Sequence, residues 1–164
     1  MRPVLAGASP LCVLLVVGCA ALSQSAAPQP TRVRFYLARS AEHEGYRAAK
    51  DESGQPLYVA PEPFLTEQDI SQASVFASRE RTLIELEFRG LAAARLEQVT
   101  RANIGSRLAV FINDQLILSP WVQAPTASRK LLLDGGFSRA RAEEIVRGLG
   151  GVPSTAPAVT GRAP

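Results

Sequence analysis

An α+β fold follows from three features of this 164-residue chain. From Leu91 to Asn103, Ala92, Leu96, Val99 and Asn103 recur on one stripe at helical spacing, with Arg95, Glu97 and Arg101 off it. From Leu108 to Leu118, two runs of strand formers flank Asn113-Asp114, a pair able to take the positive φ angles of a tight hairpin turn. In Ile84-Glu85-Leu86-Glu87-Phe88 apolar and acidic residues alternate, which predicts a strand with one buried and one wet face. Helix, hairpin and one-sided strand share an apolar side, so both main helices are expected on one face of a sheet.

Composition narrows the class. With 46% hydrophobic and 20% charged residues the chain reads as one ordinary domain with appendages. Its 18 basic and 15 acidic residues give a net charge of +3, too balanced to imply nucleic acid. Residues 91–164 are mildly basic, nine against five, which suits either dispersed surface charge or an anionic partner. Both cysteines, Cys12 and Cys19, precede the domain, so thiol chemistry and Cys-ligated zinc are not expected in it.

At the N-terminus, Arg2 followed by the apolar run Leu11–Val17 reads as an export signal over residues 1–18, too short to span a bilayer. Its ending, Val16-Val17-Gly18-Cys19, resembles the lipobox of bacterial lipoproteins. That resemblance implies diacylglycerol on the Cys19 sulfur, cleavage before Cys19 and acylation, palmitate included, of the new amino terminus. The alternative is a plain secretory signal cleaved after Ala20 or Ala21. Several acyl chains, at roughly 0.8 kcal/mol per buried methylene, would hold a protein on a membrane almost permanently. Ala20 rather than Asp after the cysteine implies, in a Gram-negative envelope, the outer membrane facing the periplasm.

Residues 19–31, small, polar and with Pro28 and Pro30, read as a flexible tether. Val33, Phe35 and Leu37 then alternate with Arg34, Tyr36 and Ala38, a half-buried strand. Residues 40–56 are charged and without apolar periodicity, and are expected to form a long solvated loop. Leu57-Tyr58-Val59 is a short strand, and Thr66 to Asp69 has capping-box spacing for a short helix near Asp69-Ile70. Ser74–Ala77 is another strand, and residues 78–81 a turn. After the hairpin, Leu131–Leu133 makes a last strand. Ser138 caps a helix whose apolar face is Ala142, Ile145, Val146 and Leu149. Residues 152–164, rich in Pro, Ala and Thr, lack apolar area to bury and are expected to be disordered.

Four separated stretches carry a family resemblance. They are Pro63-Phe64-Leu65-Thr66 with Asp69-Ile70 and Ala73; Leu96, Val99-Thr100, Asn103-Ile104-Gly105 and Leu108-Ala109; the hairpin ending Ser119-Pro120; and Gly136-Phe137-Ser138 before Ala142-Glu143-Glu144. In order and spacing, residues 32–151 resemble the head subdomain of the first periplasmic domain of SecD, an accessory subunit of the bacterial protein-export translocase. The turn departs from the family's usual Asp-Gly, and Thr126-Ala127-Ser128 is poorer in glycine than is usual. The resemblance implies a two-layer fold, roughly five strands in a mixed or antiparallel sheet backed by helices, and an affinity for polypeptide. It carries over no proton-driven translocation, which belongs to transmembrane segments outside the stretch it covers.

No nucleophile elbow, phosphate loop or zinc-protease motif is present. The one histidine, His43, sits among Glu42, Glu44, Asp51 and Glu52, but adjacent loop positions rarely converge on a metal. Glu85 and Glu87 point to one face of a strand and offer the one carboxylate pair worth testing as an acid–base set. No cofactor is expected. The sequence therefore predicts a non-catalytic, lipid-anchored envelope module binding exported polypeptides or envelope proteins. The alternatives are an accessory subunit of the SecD–SecF translocase and an envelope enzyme using carboxylates. The candidate residues are Cys19 for lipid, and Tyr58, Trp121 and Lys130 for a partner. Trp121 is either a partner anchor or a side chain packed into its own domain.

Overall fold

A computed structural model of the chain describes residues 30–77 and 80–151, with Ala77 described for its backbone alone. The elements follow the order β1 (Val33–Arg39), β2 (Arg47–Lys50), β3 (Pro56–Val59), β4 (Leu65–Thr66), a 3-10 turn (Glu67–Asp69), β5 (Ile70–Ala77), β6 (Thr82–Phe88), α1 (Gly90–Ala102), β7 (Arg107–Ile112), β8 (Gln115–Leu118), β9 (Lys130–Leu133) and α2 (Arg139–Gly148). The fold class is the expected α+β. Its strands are more numerous than the five anticipated, and they form two sheets with every pairing antiparallel.

The larger sheet runs β2-β3-β1-β7-β8. β1 is its centre and pairs with β7 from Val33↔Ile112 to Ala38↔Arg107. Its other side is shared: β4 takes Arg34 and Phe35, and β3 takes Ala38 and Arg39. The smaller sheet is β5-β6-β9. Apolar residues of both sheets and both helices meet in one core that includes Phe35, Leu65, Leu86, Phe88, Leu96, Val110, Leu133 and Ile145. At roughly 1.5–3 kcal/mol per fully buried large apolar side chain, this cluster is the main source of stability.

Several local expectations hold. Asn113 and Asp114 both adopt positive φ, 48° and 67°, and close the β7–β8 hairpin. Gly105 is left-handed at φ 83°, just beyond α1. The Ser138 hydroxyl accepts from the Arg141 N–H as N-cap of α2. The α1 stripe is slightly rotated: Ala92, Ala93, Leu96 and Thr100 are buried, whereas Val99 is half-buried. Thr100 fits because its hydroxyl donates to the Leu96 carbonyl at 2.7 Å and accepts from the Thr126 N–H at 2.9 Å.

Other expectations need correction. The Thr66 N–H does donate to the Asp69 carboxylate at 2.9 Å, but only one 3-10 turn follows before β5 begins at Ile70. β1 is not one-sided. Val33 and Phe35 face the main core, while Tyr36 and Ala38 are buried on the opposite face with Leu57, Val59, Ala109 and Phe111. The larger sheet thus has apolar clusters on both faces, which erases the alternation that a half-exposed strand would show. Residues 40–56 are not simply a solvated loop, since they contain β2 and two carboxylates that anchor the chain.

The two ends of the domain meet. The Thr31 N–H donates to the Gly148 carbonyl at 3.1 Å. At Gly151 the chain passes so near β5 that a Cβ would lie 2.3 Å from the Ala73 carbonyl oxygen, so only glycine fits there. The expected signal at 1–18, the lipidation candidate Cys19, most of the expected tether at 19–31 and the expected tail at 152–164 lie outside the described residues. Among the described residues no helix is long and apolar enough to cross a membrane.

Candidate functional site

The most organised polar site joins the 40–56 segment to the end of the β7–β8 hairpin. Arg107 opens β7, and its side chain is only 13% exposed. Nε donates to the Ser119 carbonyl at 2.6 Å, Nη2 to the Ser119 hydroxyl at 2.8 Å and Nη1 to Asp51 Oδ2 at 2.8 Å. The other Asp51 oxygen accepts from the Ser53 N–H, the Ser53 hydroxyl and the Gln55 N–H, which folds Asp51–Gln55 into a tight turn. Ser119, fully buried, donates its N–H to Glu52 Oε1 at 2.6 Å and its hydroxyl to Glu52 Oε2. The Trp121 ring lies over the Arg107 guanidinium, 5.5 Å from ring centre to Cζ.

The electrostatics follow from these contacts. The Ser53 hydroxyl first, and then Arg107, hold the Asp51 carboxyl well below the usual carboxylate range. Burial pushes Glu52 upward, but donors from Ser119 and its own backbone, with the Arg107 charge, outweigh that and leave it lowered. All these donors and acceptors face one another, and among the described residues no buried side-chain nitrogen or oxygen lacks a partner. The arrangement can pin a loop. It leaves no carboxyl with a raised pKa to serve as an acid.

The residues singled out from sequence are dispersed. Tyr58 is half-buried on β3, opposite Arg39 and Ala48. Trp121 is 54% exposed rather than packed away. Lys130, on the edge strand β9, donates to Glu85 at 2.9 Å, and that bond raises its own pKa. Glu87 faces Arg129 at 3.9 Å. The proposed carboxylate pair on β6 is therefore matched cation by cation across the sheet. His43 packs edge-on against Tyr46, ring centres 4.6 Å apart, and no metal-binding trio occurs among the described residues. A cavity of about 290 Å³ is lined by Glu80, Arg81, Asp134, Phe137 and Arg139 and takes in none of the candidates. Sequence reasoning missed Arg107 and Ser119. The signal for them was the Asp51-x-Ser53-Gly54 turn, two acids beside a hairpin that ends in a buried serine.

Fold and knot together define a small antiparallel α+β domain that spends its buried charges on tying loops together. The family model for the SecDF P1 head subdomain matches residues 43–151. Among curated relatives, the protein translocase subunit SecDF of Thermus thermophilus is 32% identical over 84 residues, 51% of this chain and 11% of that protein. The protein translocase subunit SecD of Magnetococcus marinus is 26% identical over 112 residues, 68% of this chain and 20% of that protein. Two solved structures share the fold at TM-score 0.60. One, described as a membrane component SecDF that enhances protein export, is 20% identical, with 76% of this chain and 64% of that one covered. The other, SecDF in a super-membrane-facing form, is 21% identical and covers 76% and 19%. The chain belongs to the SecDF P1 head subdomain family. It spans no more than about a fifth of the curated relatives it matches.

Proposed function

We propose that this chain is a lipid-anchored envelope module that binds extended polypeptide, from exported or envelope proteins, and catalyses no reaction. The observation that carries the reading is membership of the head subdomain family, whose relatives are named as translocase subunits, in a domain with unpaired strand edges. An extended segment would add along such an edge, where backbone hydrogen bonds give affinity without demanding one sequence. Tyr58, Trp121 and Lys130 are the proposed partner-binding side chains. Cys19 is the proposed mature N-terminus, carrying lipid, with residues 19–31 as tether. Binding is weak, roughly micromolar or poorer, because ordering a flexible partner consumes much of the contact energy.

The test is photo-crosslinking in living cells from probes at Tyr58, Trp121 and Lys130. Capture of exported or envelope proteins is expected. Capture confined to SecD and SecF would select the accessory-subunit reading. Empty crosslinks, together with hydrolytic activity of the purified protein abolished by Glu85→Gln or Glu87→Gln, would overturn the binding reading for the enzymatic one. For the anchor, Cys19→Ala should release the protein from membranes. An intact mass showing an unmodified mature chain that starts elsewhere would refute lipidation.

A further inference from the structure

The described arginines and lysines are not evenly paired. Most have a carboxylate within 4 Å, but Arg39, Arg47, Lys50, Arg89 and Arg147 have none. Arg39, Arg47 and Lys50 gather at one corner of the larger sheet, where β2 is the outermost strand. The nearest acids in sequence after β2, Asp51 and Glu52, are committed to Arg107 and Ser119 and do not neutralise the corner. Arg47 lies over two rings, 5.4 Å from the centre of Tyr36 and 4.9 Å from that of Phe111, which holds the guanidinium while the residue as a whole stays exposed.

Register places these cations on both faces of the edge. Arg39, Tyr58 and Ala48 are opposite one another across β1, β3 and β2 and so share a face, to which Lys50 also belongs. Arg47 is on the other face. The backbone is open as well. The Asp51 N–H donates to the Gln55 carbonyl at 2.9 Å, so the next pair, Lys50↔Pro56, falls at a non-hydrogen-bonded position, where the missing N–H of Pro56 costs the β2–β3 ladder nothing. Antiparallel alternation then turns the N–H and C=O of Ala48 and Lys50 outward. The other outermost strands lack this match: β5 and β8 carry no lysine or arginine, and Lys130 of β9 is held by Glu85.

Resting on the polypeptide-binding reading above, we propose that the open edge of β2 is the docking site and that its partner is an extended segment with consecutive acidic residues. Successive side chains of an added strand point to opposite faces, so one carboxylate meets Arg47 and the next meets Lys50, while Arg39, two strands further in on β1, adds positive charge to the Lys50 face. Adjacent acids, rather than alternating ones, fit a cationic edge of this kind. Glu42 and Glu44, exposed in the preceding loop, confine the acidic run to the few residues beside β2.

The probe is a labelled peptide, acetyl-Ser-Thr-Glu-Glu-Glu-Thr-Ser-amide, titrated against the whole chain in detergent at low salt by fluorescence anisotropy. Binding in the micromolar range is expected. It should weaken about tenfold or more with Arg47→Glu plus Lys50→Glu, with Gln in place of Glu in the peptide, and with N-methylation of its backbone. Arg47→Gln is a milder variant, and thermal unfolding of each variant separates lost binding from lost folding. Equal binding of the Glu and Gln peptides, both sensitive to N-methylation, overturns the acidic preference but leaves the polypeptide reading intact. Binding by neither peptide overturns the β2 site, and with empty crosslinks the parent reading fails too. Charge reversal that weakens association with phosphatidylglycerol vesicles but not with peptide also overturns the proposal, in favour of a lipid surface.

Discussion

The two sheets treat their outer faces differently. The larger one buries Leu57, Val59, Ala38 and Ala109 completely on the side away from the main core. The smaller one leaves Phe76 and Leu132 about half exposed on its outer side and covers the remainder only with the Glu85–Lys130 and Glu87–Arg129 pairs. The larger sheet closes its outer face with its own strands: the cluster draws on β1, β2, β3, β7 and β8, Arg47 lies over Tyr36 and Phe111, and Arg107 of β7 ties down Asp51 just beyond β2. A face closed on an apolar cluster and a face dressed in surface charge respond to different perturbations.

The contrast can be broken at its strongest point first. Phe88→Ala, in the core shared by both sheets, should cost about 3–5 kcal/mol in chemical denaturation. Leu57→Ala probes the second face. If that face is closed as described, the loss should be about 2–5 kcal/mol, and a loss under about 1 would show it to be open. Next comes the latch. The Asp51 carboxyl is held below its ordinary value, so its stabilisation is complete above about pH 4, the unfolded value, and is lost as pH falls through the folded one. Wild type should therefore lose stability on acidification below about pH 4, while Asp51→Asn should be less stable at neutral pH and flatter over that acid range. The smallest effect belongs to the open face: Leu132→Ser should stay within about 0.5 kcal/mol of wild type, as exposed substitutions do.

What could be read from the residues divides along the same line. β6, with glutamates outward and Ile84, Leu86 and Phe88 inward, was legible because a one-sided sheet writes its geometry as alternation. The β7–β8 turn was legible because Asn113 and Asp114 are residues that tolerate left-handed backbone. β2 was not. Arg47-Ala48-Ala49-Lys50 contains no strand former, and its conformation is imposed by pairing with β3 and by the Asp51 turn. The half-buried reading of β1 failed at Tyr36 because nothing local announces that a second face will be covered. The knot was hidden for a related reason, since Asp51 and Arg107 are 56 positions apart and meet only after the sheet has formed. Trp121 shows the opposite limit: its residue type suits both a core and an interface, and only the fold reveals its exposure.

The bond from Thr31 to Gly148 fastens the first described turn of chain to the last. A unit that begins and ends at one point can be spliced into a host chain without prising the host's flanking segments apart. The curated relatives, in which the matched stretch is a small fraction of a much longer protein, have room for such a splice. If residues 19–31 act as the tether proposed above, a pull on them would be borne beside the end of α2, by the Thr31–Gly148 hydrogen bond, while β1 stays paired to β7 along six residue pairs.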